Sequence, residues 1–203
     1  MSDSESVENV DLTDDNTGEN QIHENATQTV IAVDSEDSVT NYVNRLDAHT
    51  GDGIRHRAFT CLLFNQQNDL LLAQRSANKR LWDGYWDGTV ASHPAKGQSQ
   101  REATRERLEE ELGITPSQYT DLNITDKFSY KRYYLNEGVE WEICAVLKAT
   151  LQDVSIHRDP NEVDGLLWVP YDDLFENLRY YQQLKFCPWF EIAIRRDNTE
   201  PGK

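Results

Sequence analysis

Residues 100–114 read QREATRERLEEELGI and contain the clearest structural signal in the chain. Apolar side chains recur at helical spacing between charged ones, and Gly113 follows the last of them. The stretch therefore predicts a helix over Gln100–Leu112 that ends at this glycine. Residues three and four positions apart share one face of a helix. Three charged residues of the predicted helix meet this condition: Arg107, Glu110 and Glu111.

Short apolar runs separated by polar turns lie on both sides of this helix. They predict strands, partly joined as hairpins, and a helical C-terminal region, which together indicate an α/β (α+β) fold built on a mixed β-sheet. The predicted strands are Ala58–Phe64, Asp69–Gln74, Trp86–Ala91, Phe128–Tyr134, Glu140–Ala149 and Gly165–Val169, and the predicted closing helices are Tyr171–Leu178 and Pro188–Arg196.

The 203 residues are enough for one domain with extensions, and the 37% hydrophobic content supports a core. Residues 1–35 are rich in acidic and small polar residues, so they predict a disordered acidic tail. We expect the folded domain to cover residues 36–197, and residues 198–203 to form a polar C-terminal tail.

The charge distribution limits the possible partners and the compartment. The net charge is −16, and the first 40 residues contain 11 acidic residues and neither lysine nor arginine. This surface disfavours nucleic acid, which requires basic contacts. The sequence has no apolar stretch of membrane-spanning length and no secretory signal, and its three widely spaced cysteines fit a reducing cytoplasm. An acid-rich, lysine-poor chain suits high salt, but an ordinary domain with an acidic tail explains the same composition.

Five residues offer nitrogen and oxygen ligands for one divalent ion. The two glutamates alternate on one predicted strand, so their carboxylates face the same side. Each histidine alone also fits a structural or exposed position, and the glutamates also fit a half-solvated strand face. Sequence spacing does not bring the five together. They are His49, His56, His93, Glu140 and Glu142, a set suited to Mn²⁺, Mg²⁺ or Zn²⁺.

Basic residues near the apolar segments form a second set of candidates. Guanidinium groups bind phosphate oxygens in bidentate fashion, so these residues are suited to a phosphorylated ligand. Ordinary surface charge is the alternative for each of them. The candidates are Arg45, Arg75, Lys79 and Arg107.

The predicted helix and the residues before it partly resemble the Nudix box, in which glutamates on one helix face hold Mg²⁺ against a diphosphate. Leu108 and Glu110–Ile114 match the box, whereas Gln98 and Arg107 replace two of its glutamates, Ser92 its first glycine and Glu106 its arginine. A hydrolase needs several carboxylates to hold metal and activate water, so the replacements disfavour hydrolysis.

From about Arg45 to Ile194 the chain resembles type I isopentenyl-diphosphate isomerase, a Nudix-fold enzyme. The matching motifs are separated along the chain and occur in the family's order. They are RLDAHT (45–50), HRAF (56–59), AQRSANK (73–79), WDGYW (82–86), SHP (92–94), FSY (128–130), EWEIC (140–144), NEV (161–163) and FCPW (186–189).

The resemblance implies a mixed sheet sandwiched by helices. It also implies isomerisation of isopentenyl diphosphate to dimethylallyl diphosphate, by metal-assisted protonation and deprotonation, in isoprenoid biosynthesis. It permits a monomer whose partner is the small prenyl diphosphate, with neither nucleic acid nor membrane involved.

The resemblance also implies a role for each candidate residue. The His₃Glu₂ set holds Mn²⁺ or another divalent ion, and Glu111 holds Mg²⁺ together with the backbone carbonyl at Ala91. Arg45, Arg75, Lys79 and Arg107 bind the diphosphate. Glu142 and Tyr130 deliver a proton to the alkene, and the Trp189 ring faces the carbocation.

One departure concerns the chemistry directly. The family's catalytic cysteine falls on Ala91, which has no exchangeable proton, and Asp87-Gly88 stand where the family usually has Thr-Asn. Another group can replace the thiol. Thr89 and Asp87 share the strand face of Ala91, but two residues along a strand displace a side chain by roughly 6–7 Å, so both are poor substitutes. Ser92 should point to the opposite face, and Cys144, on the same face as Glu142, fits either a replacement for the thiol or core packing. Hydrolysis of a prenyl or other small-molecule diphosphate, and diphosphate binding without catalysis, therefore stay open as alternative functions.

Overall fold

The computed structural model describes residues 28–152, 155–176, 181 and 183–197. Within these residues the chain forms nine strands and four α-helices. In chain order they are β1 (Thr29–Val33), β2 (Val39–Asn44), α1 (Arg45–Ala48), β3 (His56–Phe64), β4 (Asp69–Arg75), β5 (Trp86–Asp87), β6 (Val90–Ser92), α2 (Gln100–Leu112), β7 (Asn123–Tyr134), β8 (Gly138–Thr150), β9 (Val163–Pro170), α3 (Tyr171–Glu176) and α4 (Pro188–Asp197).

Helix α2 begins and ends as its sequence predicts, because both ends are capped locally. The Ser99 hydroxyl accepts a hydrogen bond from the backbone N–H of Glu102, whose carboxylate accepts one from the backbone N–H of Ser99. This reciprocal pair is a capping box. Gly113 closes the helix in the left-handed conformation, with φ of 67°.

The sheet is mixed, and β3 lies at its centre. β3 pairs in parallel with β8, and in antiparallel fashion with β1, β4 and β6. The long β7–β8 hairpin and the β4–β9 pair extend the sheet. The parallel register places His56 opposite Glu142, so residues far apart in sequence meet at one end of the two strands.

Helices cover both faces of the sheet, as predicted. Along β3, Leu62 packs into one hydrophobic cluster with Phe190 of α4. Leu63, the next residue, packs into a second cluster with Leu108 and Leu112 of α2. Successive side chains of a strand point to opposite faces, so these clusters are the two layers of the core.

Two sequence predictions require correction. The folded domain begins before the predicted boundary at residue 36, because β1 is buried at Ile31 and Val33 and pairs with β2 and β3. The predicted strand Trp86–Ala91 is two short strands, β5 and β6. Thr89 lies between them because its backbone N–H and its hydroxyl donate to the carbonyls of Cys61 and Leu71.

Residues 1–27, 177–178 and 198–203, which belong to the predicted tails and to the end of one predicted helix, lie outside the described residues. Among the described helices, none combines the length and apolar character needed to cross a membrane.

Candidate active site

Three imidazoles and two carboxylates converge at one end of the sheet. Their ligand atoms all lie within 4.8 Å of one another. The imidazole ring centroids are 4.6–5.0 Å apart. The group consists of the five residues named as metal-ligand candidates from the sequence: His49, His56, His93, Glu140 and Glu142.

Different elements bring these residues together. His49 follows helix α1, His56 begins β3, and His93 follows β6. Glu140 and Glu142 alternate on β8, so both face the cluster, and the parallel register sets Glu142 against His56. The cluster therefore depends on strand pairing between segments more than 80 residues apart.

The ring nitrogens of the histidines are oriented for a cation. Nδ1 of His49 lies 2.7 Å from the carbonyl oxygen of Arg45, and Nδ1 of His56 lies 2.7 Å from that of Ile54. An Nδ1–H that donates to a carbonyl leaves Nε2 as the acceptor of the neutral ring. The Nε2 atoms point at carboxylates: that of His49 is 2.8 Å from Glu140, and that of His56 is 3.5 Å from Glu142.

Among the described residues, Nε2 of His56 is a buried atom of this cluster with no hydrogen-bond partner. Buried polar atoms without partners are rare in folded proteins. Burial, followed by the charges of His56 and Arg45, lowers the pKa of His93 well below its usual value, which keeps this ring in the neutral form that binds metals. The donor set therefore fits a divalent cation.

Glu142 also contacts a phenol on the neighbouring strand. The Tyr130 hydroxyl donates a hydrogen bond of 2.6 Å to Oε2 of Glu142. Burial, followed by the Glu142 charge, raises the pKa of Tyr130 well above its usual value. Burial opposes ionisation of Glu142, but the adjacent His56 imidazole and the Tyr130 hydroxyl outweigh it and lower the pKa of Glu142 to about 2. The pair is thus a protonated phenol on an ionised carboxylate.

A cavity opens beside this pair. Its wall contains Tyr130, Glu142 and His93, the side chain of Trp189, the guanidinium groups of Arg45 and Arg75, and Ala91. Burial, followed by the neighbouring charge of Arg107, lowers the pKa of Arg45 to about 10, so it stays cationic at neutral pH. The cavity thus combines a proton donor, an aromatic face and positive charge.

A second, smaller cavity shares Arg75 and Ala91 with the first. It also contains Lys79 and the buried Glu111 of α2. Burial lowers the pKa of Lys79 to about 8, with Glu111 opposing the effect, and Lys79 forms an ion pair with Glu162. Arg107 lines neither cavity but pairs with Glu110 at 3.1 Å, and its charge acts on Arg45 and Lys79.

Comparison with known proteins identifies the family. A model of the NUDIX domain matches residues 54–190. The chain belongs to the NUDIX family. Within it, the chain belongs with proteins named isopentenyl-diphosphate delta-isomerase. One from Haloarcula marismortui is 67% identical over 177 residues, covering 87% of this chain and 95% of the relative. One from Photorhabdus laumondii is 33% identical over 165 residues, covering 81% and 91%.

Solved structures of other proteins share the fold. A crystal structure of a protein from Deinococcus radiodurans matches with a TM-score of 0.67 at 22% identity, covering 83% of this chain and 98% of that one. A MutT protein from Methanosarcina mazei matches with a TM-score of 0.52 at 19% identity, covering 72% and 96%. At these identities the likeness concerns the fold alone.

In this NUDIX-family chain, two replaced positions of the box contact each other, and a third contacts a glutamate that the box retains. The side-chain amide of Gln98 donates to the Glu106 carboxylate, and Arg107 pairs with Glu110. Glu111 is the buried carboxylate of the helix face that lines a cavity. The helix thus presents one carboxylate to the cavity.

The position without a thiol lies at the junction of the two cavities. Ala91 lines both of them. Cys144 is buried in the core with a pKa raised by burial and by Glu142, so it packs. The Thr89 hydroxyl accepts a hydrogen bond from the backbone N–H of Leu63 on β3 and donates one to the carbonyl of Leu71 on β4.

Asp87 is the residue near Ala91 whose role the sequence did not indicate. The sequence indicates only that Asp87 shares the strand face of Ala91 and departs from the family pattern, whereas the structure buries the residue at 3% exposure with its carboxylate against Trp189. The chain leaves the strand at Gly88 and Thr89, between β5 and β6, and strand propensity alone does not predict this break. Glu162 is a second residue for which sequence reasoning gave no role, although its motif carried the family resemblance.

Proposed function

We propose that the protein interconverts isopentenyl diphosphate and dimethylallyl diphosphate by protonation and deprotonation, as a step of isoprenoid biosynthesis. The observation that carries the proposal is the Tyr130–Glu142 hydrogen bond, which joins the five-ligand cluster to a cavity lined by Trp189. Its agreement with relatives of that name at 67% identity supports the same reaction.

The diphosphate binds the basic residues at the mouths of the two cavities. Arg45 and Arg75 contribute from the first cavity and Lys79 from the second, with Arg107 adding charge from α2. Glu111 and the carbonyl of Ala91 would hold Mg²⁺, and the His₃Glu₂ cluster would hold Mn²⁺ or another divalent ion. When bound, these ions supply positive charge that neutralises the diphosphate and fixes the geometry of Glu142.

Tyr130 and Glu142 supply the proton on one face of the alkene. The phenol stays protonated at neutral pH because its pKa is raised, so its proton is available at the cavity wall. Protonation of the alkene produces a tertiary carbocation. The negative face of the Trp189 ring attracts that cation, and burial of the ring at 5% exposure keeps water from capturing it.

The reaction is completed when a base removes a proton from the carbocation, and because Ala91 has no thiol, water or another group must accept that proton. The leading alternatives are therefore a NUDIX-type hydrolase acting on a prenyl or other small diphosphate, and a protein that binds diphosphates without turnover. The single carboxylate that α2 presents to the cavity disfavours hydrolysis, because activation of water on metals uses several.

Product analysis separates the three functions. The purified protein is incubated with isopentenyl diphosphate and Mg²⁺ plus Mn²⁺, at low and at molar salt, beside an Ala91→Cys variant. Isomerisation by the wild type supports the proposal and shows that the thiol is dispensable. Isomerisation by Ala91→Cys alone contradicts it and shows a scaffold with another native reaction. Release of phosphate indicates the hydrolase, and saturable binding without product indicates the binder.

We further propose that the protein acts in the cytoplasm as a monomer, on a free prenyl diphosphate and without nucleic acid. The net charge of −16 supports the exclusion of nucleic acid. Light scattering after size exclusion, with a 23.5 kDa chain as the reference, tests the monomer.

A further inference from the structure

We propose that Asp87 is a positioning residue for the isomerisation proposed above: its carboxylate fixes the Trp189 indole and offsets the charge of Arg75, so that the ring can face a carbocation. The inference rests on the proposed function. It gives a role to a buried acid that lines the second cavity rather than the cavity of Tyr130 and Glu142.

The carboxylate of Asp87 holds the indole with both oxygens. Nε1–H of Trp189 lies 2.9 Å from Oδ1 and 2.8 Å from Oδ2. The backbone N–H of Gly88 donates to Oδ1 at 2.7 Å, which fixes the carboxylate itself. The ring orientation is therefore set by a group four residues before Ala91.

Arg75 places a fixed positive charge beside the Trp189 ring. Its guanidinium lies 5.4 Å from the centroid of the Trp189 ring. It is anchored there by hydrogen bonds from Nε and Nη2 to the carbonyls of Trp82 and Leu81. A second cation at the same ring would meet the repulsion of this fixed charge, which is strong in a buried site.

The negative charge of Asp87 compensates that of Arg75. Oδ2 lies 3.9 Å from Nη1 of Arg75, and the same carboxylate accepts the indole N–H. An anion at the N–H edge also increases the electron density of the ring face, which strengthens its attraction for a cation. A neutral side chain could accept the indole N–H equally well. The hydrogen bond therefore does not explain why the residue is a carboxylate, whereas the charge of Arg75 does.

Burial makes the ionised form of Asp87 unfavourable. Burial raises the pKa of Asp87 to about 6, although Arg75 and the Trp189 N–H act in the opposite direction. The charge of Glu111 adds to the increase. Buried acids that are disfavoured by their surroundings cluster at functional sites.

A double-mutant cycle tests the inference. The variants are Asp87→Asn, Trp189→Phe and the double variant, with Asp87→Thr as a second uncharged acceptor and Asp69→Asn as the control. Asp69 lies at the other end of β4, roughly 20 Å from Arg75 by strand rise. kcat and KM for isopentenyl diphosphate are measured with saturating Mg²⁺ and Mn²⁺, and thermal unfolding verifies that each variant is folded.

We expect Asp87→Asn and Asp87→Thr to lower kcat at least tenfold while KM stays within threefold. In the Trp189→Phe background, the Asn substitution should change kcat less than threefold, because the ring through which Asp87 acts has been replaced. A kcat within threefold of the wild type for either folded variant overturns the inference. An equal loss in both backgrounds also overturns it, because Asp87 would then act independently of Trp189.

A binding measurement keeps this inference separate from the proposed function. Calorimetry compares an alkyl diphosphate carrying a protonated tertiary amine at the position of the carbocation with its neutral saturated isostere. We expect the wild type to prefer the ammonium ligand at least tenfold, and Asp87→Asn to reduce that preference below threefold. If the wild type does not isomerise, the proposed function fails while this ratio still decides the inference. An unchanged preference in Asp87→Asn overturns it.

Discussion

The two sides of the active-site cavity are built from opposite kinds of chemistry. On one side, Tyr130 presents a protonated hydroxyl on the ionised Glu142, beside the imidazole cluster. On the other side Ala91 presents a methyl group, and Asp87 directs its carboxylate at the Trp189 indole. Under the proposed function, one side supplies a proton, whereas the other supplies an oriented ring and a compensating charge.

This difference predicts how strongly the reaction depends on each side. The side with the proton donor rests on the register of β3 and β8, so any loss there removes ligands and acid together. On the side of Ala91, the charge of Asp87 acts through the Trp189 ring, so we expect substitutions there to lower the rate by smaller amounts. Four predictions test the contrast.

The largest effect is expected from removing the strand that supports the proton-donor side. Deletion of residues 1–35 removes β1, whose Ala32 pairs with His56, and takes away Ile31 and Val33, which cover Ile143. Losing several buried apolar side chains, at roughly 1.5–3 kcal/mol each, should leave the protein largely unfolded at 25 °C. Circular dichroism and thermal unfolding measure this.

Deletion of residues 1–27 is the matched control. It leaves β1 intact, and we expect activity within twofold of the full chain and an unchanged melting temperature. Similar behaviour of the two truncations would contradict the role of β1 in holding His56.

The next effect concerns Glu142. Glu142→Gln keeps the volume but removes the charge that faces His56, His93 and Tyr130. We expect kcat to fall about 10⁴-fold, because the change affects the proton donor and the metal site at once. Bound metal, measured by elemental analysis, should fall in parallel.

Exposed Glu137 in the β7–β8 turn offers the control, since Glu137→Gln should leave metal content and rate unchanged. Full metal content with a full rate in Glu142→Gln would show that this side of the cavity is not the reactive one.

Some of this architecture follows from sequence and some does not. The bounds of α2 were predictable because Ser99, Glu102 and Gly113 cap it through local hydrogen bonds. Strand β1 was missed because its apolar run is short and follows an acidic segment, and β2 because it is half polar and largely exposed. The break at Thr89 depends on contacts with β3 and β4, which no local pattern contains.

The site shows the same division. Alternation on β8 placed Glu140 and Glu142 on one face, but only strand pairing brings three histidines from separate segments to them. The family resemblance provided this grouping where spacing did not. Neither local pattern nor family resemblance predicted the role of Asp87. Its contact with Trp189 spans 102 residues, and its position departs from the family pattern.

A smaller effect is expected at Tyr130. Tyr130→Phe removes the hydroxyl that donates to Glu142 but keeps the ring in the core. We expect kcat to fall roughly 100-fold, typical of the loss of a general acid, with metal content unchanged. The measurement is single-turnover product formation, with Tyr133→Phe on the exposed part of β7 as the control. A rate loss equal to that of Glu142→Gln, with metal lost as well, would show that the phenol holds the metal site together rather than supplying the proton.

The smallest effect concerns stability on the Ala91 side. The pKa of Asp87 is about 6 in the folded protein and near 3.8 when unfolded, so the folded state binds more protons between these values. The contribution of Asp87 to the free energy of unfolding therefore falls as pH rises through this window. Asp87→Asn has no such dependence. Between pH 4.5 and 7.5 its stability relative to the wild type should rise by about 2 kcal/mol, at 1.36 kcal/mol per unit of pKa shift.

Urea unfolding at the two pH values measures this difference, and Asp69→Asn shows how much arises from losing any aspartate. A gain in stability that accompanies a lower kcat would mean that the protein retains the charge of Asp87 for its effect on Trp189 and not for the fold. A difference that stays constant with pH would mean that Arg75 and the indole N–H fully compensate the buried charge. The cavity would then have no reason to prefer a carboxylate over an amide at this position.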